Sequence, residues 1–103
     1  MRRARVLIHN IAAGILEELD NNQYHFHYLP EYQGPPVSLT MPCKKNSYDF
    51  AQFPPFFEGL LPEGSQLEAL LRKYKLDKYD YFGQLVQVGS DVVGAVTIIE
   101  EEA

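Results

Sequence analysis

Tyr24-His25-Phe26-His27-Tyr28 is the stretch on which the fold turns. Aromatic and imidazole side chains alternate with a period of two, so a strand here sends three aromatics to one face and two histidines to the other. A sheet built on such a strand has one apolar and one polar face, and needs a covering layer on one side only. Asp20-Asn21-Asn22, just upstream, is a turn, because short polar side chains bond to the backbone around them. Before it, Ile11 to Leu16 reads as a strand, with Gly14 as a bulge or a point of close approach. A short helix around Ile15–Leu19 competes for part of that segment. Asn10 suits a tight hairpin turn back to Arg5-Val6-Leu7-Ile8-His9, which is rich in branched residues. Downstream, the stretch from Pro30 to Pro36 carries Gly34-Pro35-Pro36 and is a loop. Val37-Ser38-Leu39-Thr40-Met41 alternates again and reads as a fourth strand stopped by Pro42, followed by a polar loop from Cys43 to Ser47.

The period changes in the second half. Pro54-Pro55 can open a helix that carries Phe56, Phe57, Leu60 and Leu61, before Pro62-Glu63-Gly64 breaks the chain. Ser65-Gln66-Leu67-Glu68 has the form of a capping box, and Leu67, Leu70, Leu71 and Tyr74 make the apolar stripe of an amphipathic helix. Arg72, Lys73 and Lys75 fall in its last turns, where cations suit the helix dipole. Asp77 is placed to cap a third helix with Tyr81, Phe82, Leu85 and Val88, ended by Gly89. Val92 to Ile99 has few polar positions and reads as a last strand, central in the sheet or covered on both faces. Glu100-Glu101-Glu102-Ala103 reads as a charged tail. Strands, then helices, then a returning strand define an α+β domain. The expectation is a mostly antiparallel sheet of four to five strands with two to three short helices on one face. Tyr24, Phe26, Tyr28, Leu67, Leu70, Leu71, Phe82, Leu85, Val96 and Ile98 form its expected core.

The whole chain, 1–103, is short enough to be one domain. Its formal charge of −5 excludes nucleic-acid binding through clustered phosphate contacts. No apolar run approaches the length of a membrane span, and Val6-Leu7-Ile8 is too short for the apolar part of a signal peptide. The single cysteine forms no internal disulfide, so a reducing cytoplasm is the natural setting.

Catalytic and metal signatures are sparse. The seven glycines fit neither phosphate-binding pattern, and no cofactor is expected. His25 and His27 share a strand face and could chelate a metal, with Cys43 as a third ligand. The plainer reading is a solvated polar face, and no metal site is assigned. Cys43 lacks any local nucleophile signature, and Glu17-Glu18 and Glu100 to Glu102 look like solvated charge. Phe50, Phe53, Phe56 and Phe57 crowd around Pro54-Pro55; most would fill the core, while any left exposed would mark a partner surface.

Three ordered segments carry a resemblance. They are Pro35 to Pro42 with Ser38-Leu39-Thr40-Met41, Phe56-Phe57-Glu58-Gly59-Leu60-Leu61-Pro62-Glu63-Gly64, and Gly89-Ser90-Asp91-Val92-Val93-Gly94-Ala95-Val96. Together they span almost the whole chain, which resembles the N-terminal subdomain of the HipA-type toxin kinases. The resemblance implies no catalysis here, because the lysine and aspartates of phosphoryl transfer belong to lobes downstream of that subdomain. A standalone subdomain is similar to the HipS-type antitoxins of split systems. That likeness implies a HipT-like serine/threonine kinase toxin as partner and a HipB-like DNA-binding protein as third component. The alternative is the N-terminal piece of a full-length HipA-type kinase. The acidic residues after the last strand read as a genuine terminus and lean toward the first. The expected contact is Pro62-Glu63-Gly64-Ser65-Gln66, a loop between two helices whose tip projects from the domain, unless Ser65 and Glu68 serve only as a cap.

Overall fold

Two residues with positive φ, His9 (50°) and Asn10 (67°), turn the chain between β1 (Arg3–Ile8) and β2 (Ile11–Glu18), as a two-residue hairpin requires. A 3-10 turn over Asp20–Asn22 then leads to β3 (Tyr24–Tyr28), and β4 (Ser47–Phe50) follows a long loop. After three helices, α1 (Pro55–Glu58), α2 (Gly64–Tyr74) and α3 (Tyr81–Val88), the chain returns as β5 (Val96–Glu101). The sheet order is β4-β3-β2-β1-β5, and every pairing is antiparallel. The computed structural model describes residues 2–89 and 95–101.

The alternation in β3 works as its residues dictate. Tyr24, Phe26 and Tyr28 are buried beneath the helices, and His25 and His27 lie half-buried on the opposite face. Phe26 is the centre of the core, with ring centroids 5.0 Å from Tyr28 and 5.9 Å from Phe57. Phe82, Leu85 and Ile98 join it from α3 and β5. The register between β1 and β2 slips after Val6, leaving Ala13 as a bulge beside Gly14. Gly14 must be glycine for room: a Cβ there would fall 2.5 Å from the His27 carbonyl oxygen and 2.6 Å from the Phe26 ring.

Several expectations are corrected. Val37–Met41 is not a strand but a loop with a single bridge between Ser38 and Met41. The Ser38 hydroxyl bonds its own neighbourhood, accepting from the Thr40 amide at 3.2 Å, so the local turn wins over a ladder. The buried Tyr28 hydroxyl then fixes this loop by accepting from the Val37 amide at 2.9 Å and donating to the Met41 carbonyl. Burial pushes the Tyr28 phenol up to about 12, so it stays a neutral donor. The fourth strand is instead Ser47–Phe50, too short and too polar on its outer side to stand out by pattern.

Ser65 is not a cap. Glu63 occupies the cap position of α2 without a side-chain bond, and Gly64, at φ 61°, enters the helix. Asp80, not Asp77, caps α3: its Oδ1 accepts from the Gly83 amide at 3.1 Å. Asp77 forms the turn before it, accepting from the Tyr79 amide at 2.7 Å. The last strand is an edge strand rather than a central one, and only Ile98 on it is fully buried. Its expected beginning, Val92 to Gly94, lies outside the described residues. Glu100 and Glu101 belong to β5 and not to a tail. Of the expected core, Val96, Leu67, Leu70 and Leu71 are only half-buried.

Arg2 ties the two layers together. It donates to both oxygens of Glu18, at 2.7 Å each, and to Asp80 at 2.7 and 3.3 Å, while its guanidinium lies 5.1 Å from the centre of the Phe82 ring. Arg2 holds the Asp80 carboxyl below the usual carboxylate range. A lowered carboxylate stabilises the fold fully above its unfolded value of about 3.9, and the gain is lost as pH falls through the folded value. Asp80→Asn keeps the cap and removes the charge. We expect a loss of about 0.5–1 kcal/mol near neutrality, since the pair is part-exposed. Thermal unfolding followed from pH 7 to pH 2 should show a shallower acid decline than in the native chain; parallel curves would assign the acid sensitivity elsewhere.

Candidate interaction surface

The expected contact segment is the start of a helix rather than a free loop. Glu63 leads into α2, and Gly64, Ser65 and Gln66 form its exposed first turn. Pro62 is half-buried at the junction with α1. Positive φ at Gly64 sets the angle at which α2 leaves this junction, a conformation glycine adopts without strain.

α2 is the least buried element of the fold. None of its residues is fully buried, although its leucines lie on one side. Leu67, Leu70 and Leu71 are half-covered, and Tyr74 is 41% exposed. Two grooves run beside it. One, of about 440 Å³, lies among the three helices and is lined by Pro55, Leu61, Pro62, Glu63, Leu67 and Tyr81. The other, of about 290 Å³, separates α2 from α3, with Leu70, Tyr74 and Val88 on its walls. Charge is divided along the surface. Glu58, Glu63 and Glu68 surround the first turn of α2, and Arg72, Lys73 and Lys75 its end. None of these six is ion-paired among the described residues. An amphipathic helix with a half-open leucine stripe, bordered by concave ground and unpaired charge, can receive a protein partner; it holds no arrangement that performs chemistry.

The phenylalanine cluster is largely core. Phe53 and Phe57 are buried, while Phe50, Phe56 and Tyr48 are half-buried against the same core. Leu39 (93% exposed) and Tyr79 (70%) are the large apolar residues most open to solvent among the described residues. Each sits in a turn.

The outer face of the sheet is a second polar arrangement. Register places Asp49, His25, Glu17, Arg3 and Glu101 in one row across all five strands. Nδ1 of His25 donates to Asp49 at 2.7 Å, and Nδ1 of His27 lies 3.8 Å from Glu17. Arg3 and Arg5 both reach Glu101, at 3.4 and 3.0 Å. Glu17 and Glu101 are therefore built into the sheet surface and are not free solvated charge. The half-buried Cys43 turns its thiol to the Gly34 carbonyl, so the third donor beside the histidines is Glu17.

Comparison with known proteins agrees with this architecture. The family model described as "HipA N-terminal domain" matches residues 4–99. A Haemophilus influenzae protein called only "Uncharacterized protein" is 33% identical over 102 residues, covering 99% of this chain and 95% of that protein. A Sinorhizobium fredii protein named "Putative kinase Y4mE" is 29% identical over 79 residues, which are 77% of this chain and 19% of that protein. A solved structure, "N-terminal domain of HipA toxin", superposes with a TM-score of 0.78 at 33% identity, over 99% of this chain and 94% of that one. The α+β fold is that of a HipA N-terminal domain. The chain belongs to the HipA N-terminal domain family. The match takes up residues 4–99 with an N-terminal domain alone, so these 103 residues hold no kinase catalytic domain. No helix among the described residues is long and apolar enough to cross a membrane.

The half-open stripe of α2 sets an expectation for stability. Leu85→Ala, in the buried core, should cost about 2–5 kcal/mol. Leu70→Ala should cost less than half as much, because its side chain is already partly in water. Urea unfolding of the two variants compares them directly; equal losses would mean that α2 is packed as tightly as α3.

Proposed function

We propose that this domain is a HipS-like antitoxin, a cytoplasmic protein that binds a HipT-like serine/threonine kinase toxin in trans and neutralises it. A HipB-like protein would supply DNA binding as the third component, in keeping with the −5 charge of this chain. The observation that carries the reading is how much of one relative this domain accounts for. The domain covers 95% of the Haemophilus influenzae relative, so that relative is a chain of about this size without attached catalytic lobes. The α2 surface gives the reading a place to act. Pro62, Glu63, Gly64, Ser65 and Gln66 would meet the kinase, with the leucine stripe behind them. Proline and the adjoining helix hold this segment in shape, which limits the entropy lost on binding.

A second reading has its own support. In the Sinorhizobium fredii relative the matching region is 19% of the protein, as expected for the N-terminal subdomain of a full-length HipA-type kinase. The adjoining coding sequence separates the two: a separate kinase frame supports the antitoxin, and an uninterrupted frame supports the subdomain.

The direct test is co-expression with the adjacent kinase. The domain should co-purify with it and restore growth. Glu63→Ala with Gln66→Lys changes two exposed side chains that make no cap or core contact. The pair should leave circular dichroism and the thermal midpoint unchanged and reduce rescue at least tenfold. Full rescue by the folded double variant would move the contact off the start of α2, and failure of the native chain to co-purify would remove the antitoxin reading.

A further inference from the structure

The outer face of the sheet brings three metal-binding side chains together. Glu17 on β2 is the direct cross-strand partner of His25 on β3, and His27 lies two residues along the same face. One donor atom from each, an imidazole nitrogen from either histidine and a carboxylate oxygen from Glu17, lie within 4.8 Å of one another. The imidazole rings stand side by side, with centroids 5.6 Å apart. All three residues are half-buried, so the antiparallel ladder holds their backbones while the donor atoms keep access to solvent.

The surroundings prepare the set for a cation. Asp49 is acceptor-only when ionised, so the 2.7 Å bond makes Nδ1 of His25 the donor and leaves the lone pair on Nε2. Carboxylates hold metal-binding histidines in this way, fixing tautomer and ring orientation and raising the basicity of the free nitrogen. Arg3, the partner of Glu17 on β1, is turned toward Glu101 at 3.4 Å, and no arginine pairs with Glu17 among the described residues. The Glu17 carboxylate is thus free to face the histidines, 3.8 Å from Nδ1 of His27.

We propose that Glu17, His25 and His27 bind one divalent transition-metal ion of the zinc class on the face opposite the helices, with Asp49 as the residue that positions His25. Two imidazoles and one carboxylate are a borderline-soft donor set that suits zinc and its neighbours far better than magnesium or calcium. Ligand atoms around a shared zinc at 2.0–2.1 Å sit about 3.3 Å apart, and side chains whose donor atoms already lie within 4.8 Å of one another can reach that spacing by rotation about their torsions. Water completes the coordination. Bound there, the ion cross-links β2 to β3 on the face that no helix covers.

Zinc titration of the full chain, with any histidine tag removed, tests the proposal by calorimetry. We expect one equivalent bound with Kd of about 10 μM or tighter. His27→Gln should abolish the uptake, Asp49→Asn should weaken it about tenfold or more through the loss of ring orientation, and His9→Gln should leave it unchanged. Circular dichroism of each variant verifies that it is folded, and cobalt(II) absorption in the visible gives a second readout of nitrogen–oxygen ligation. Zinc should also raise the thermal midpoint of the native chain but not of Glu17→Gln. No uptake by the native chain, uptake that survives His27→Gln, or uptake lost in His9→Gln would each overturn the site.

Discussion

The guanidinium of Arg2 grips two carboxylates that are far apart in sequence, Glu18 on the sheet and Asp80 at the head of α3. A part-exposed ion pair contributes little to stability alone, roughly 0–1 kcal/mol. Its importance here is geometric. Asp80 has one oxygen on the Gly83 amide and both on Arg2, so the first turn of α3 is fixed to the end of β2 before any apolar group is counted. α3 is also the helix with the most buried residues, Phe82, Gly83, Gln84 and Leu85. The buried amide of Gln84 extends the anchor by donating to the carbonyls of Asp77 and Lys78, at 3.2 and 3.0 Å, which settles the connection from α2. With α3 fixed, β5 can return along β1, and α1 closes over Phe26 through Phe57.

One layer of short helices covers one face of a five-stranded sheet, and this imbalance shapes the rest of the surface. The uncovered face has to be tolerable in water, so the row across it is built from Asp49, His25, Glu17, Arg3 and Glu101. Opposite charges meet directly across strands, where such pairs are favourable. The same rule keeps the edge strand β5 charged near its end, with Glu101 taken up by Arg3 and Arg5. Exposed edges that carry charge resist pairing with other chains.

The fold was legible where a pattern had enough length to repeat. β3 declared both faces in five residues, and Asn10 marked the hairpin between β1 and β2, because alternation and left-handed turn residues are local signals. The α+β order followed from the change of period after Pro54. The sequence misled where a pattern was imitated by a turn. Val37–Met41 alternates, yet its Ser38 hydroxyl and the distant Tyr28 hydroxyl take the bonds a ladder would need. β4 has only four residues, so alternation had no room to show. The leucines of α2 have helical spacing, but spacing says which residues share a face and not whether another element is present to cover it. The cluster of Glu17 with His25 and His27 was half legible: the two histidines follow from the period, whereas the carboxylate depends on the β2–β3 register.

The two surfaces left open lie on opposite sides of the sheet, and this bears on how they can act together. Leu67, Leu70 and Leu71 belong to the helical layer, whereas Glu17, His25 and His27 point away from it. The buried layer between them, with Phe26 at its centre, is rigidly packed, so side chains on one surface can change without repacking the other. Substitutions at such separated sites should combine additively in stability. Coupling between them would require movement of the sheet itself. The element best placed to transmit it is β3, whose alternate residues supply the metal-binding imidazoles on one face and the aromatic core on the other. Bringing the two histidines closer around an ion would draw on the same backbone that seats Phe26 against Phe57. Any effect on the helical layer would therefore pass first through α1, the helix that leads directly into Pro62 and the start of α2.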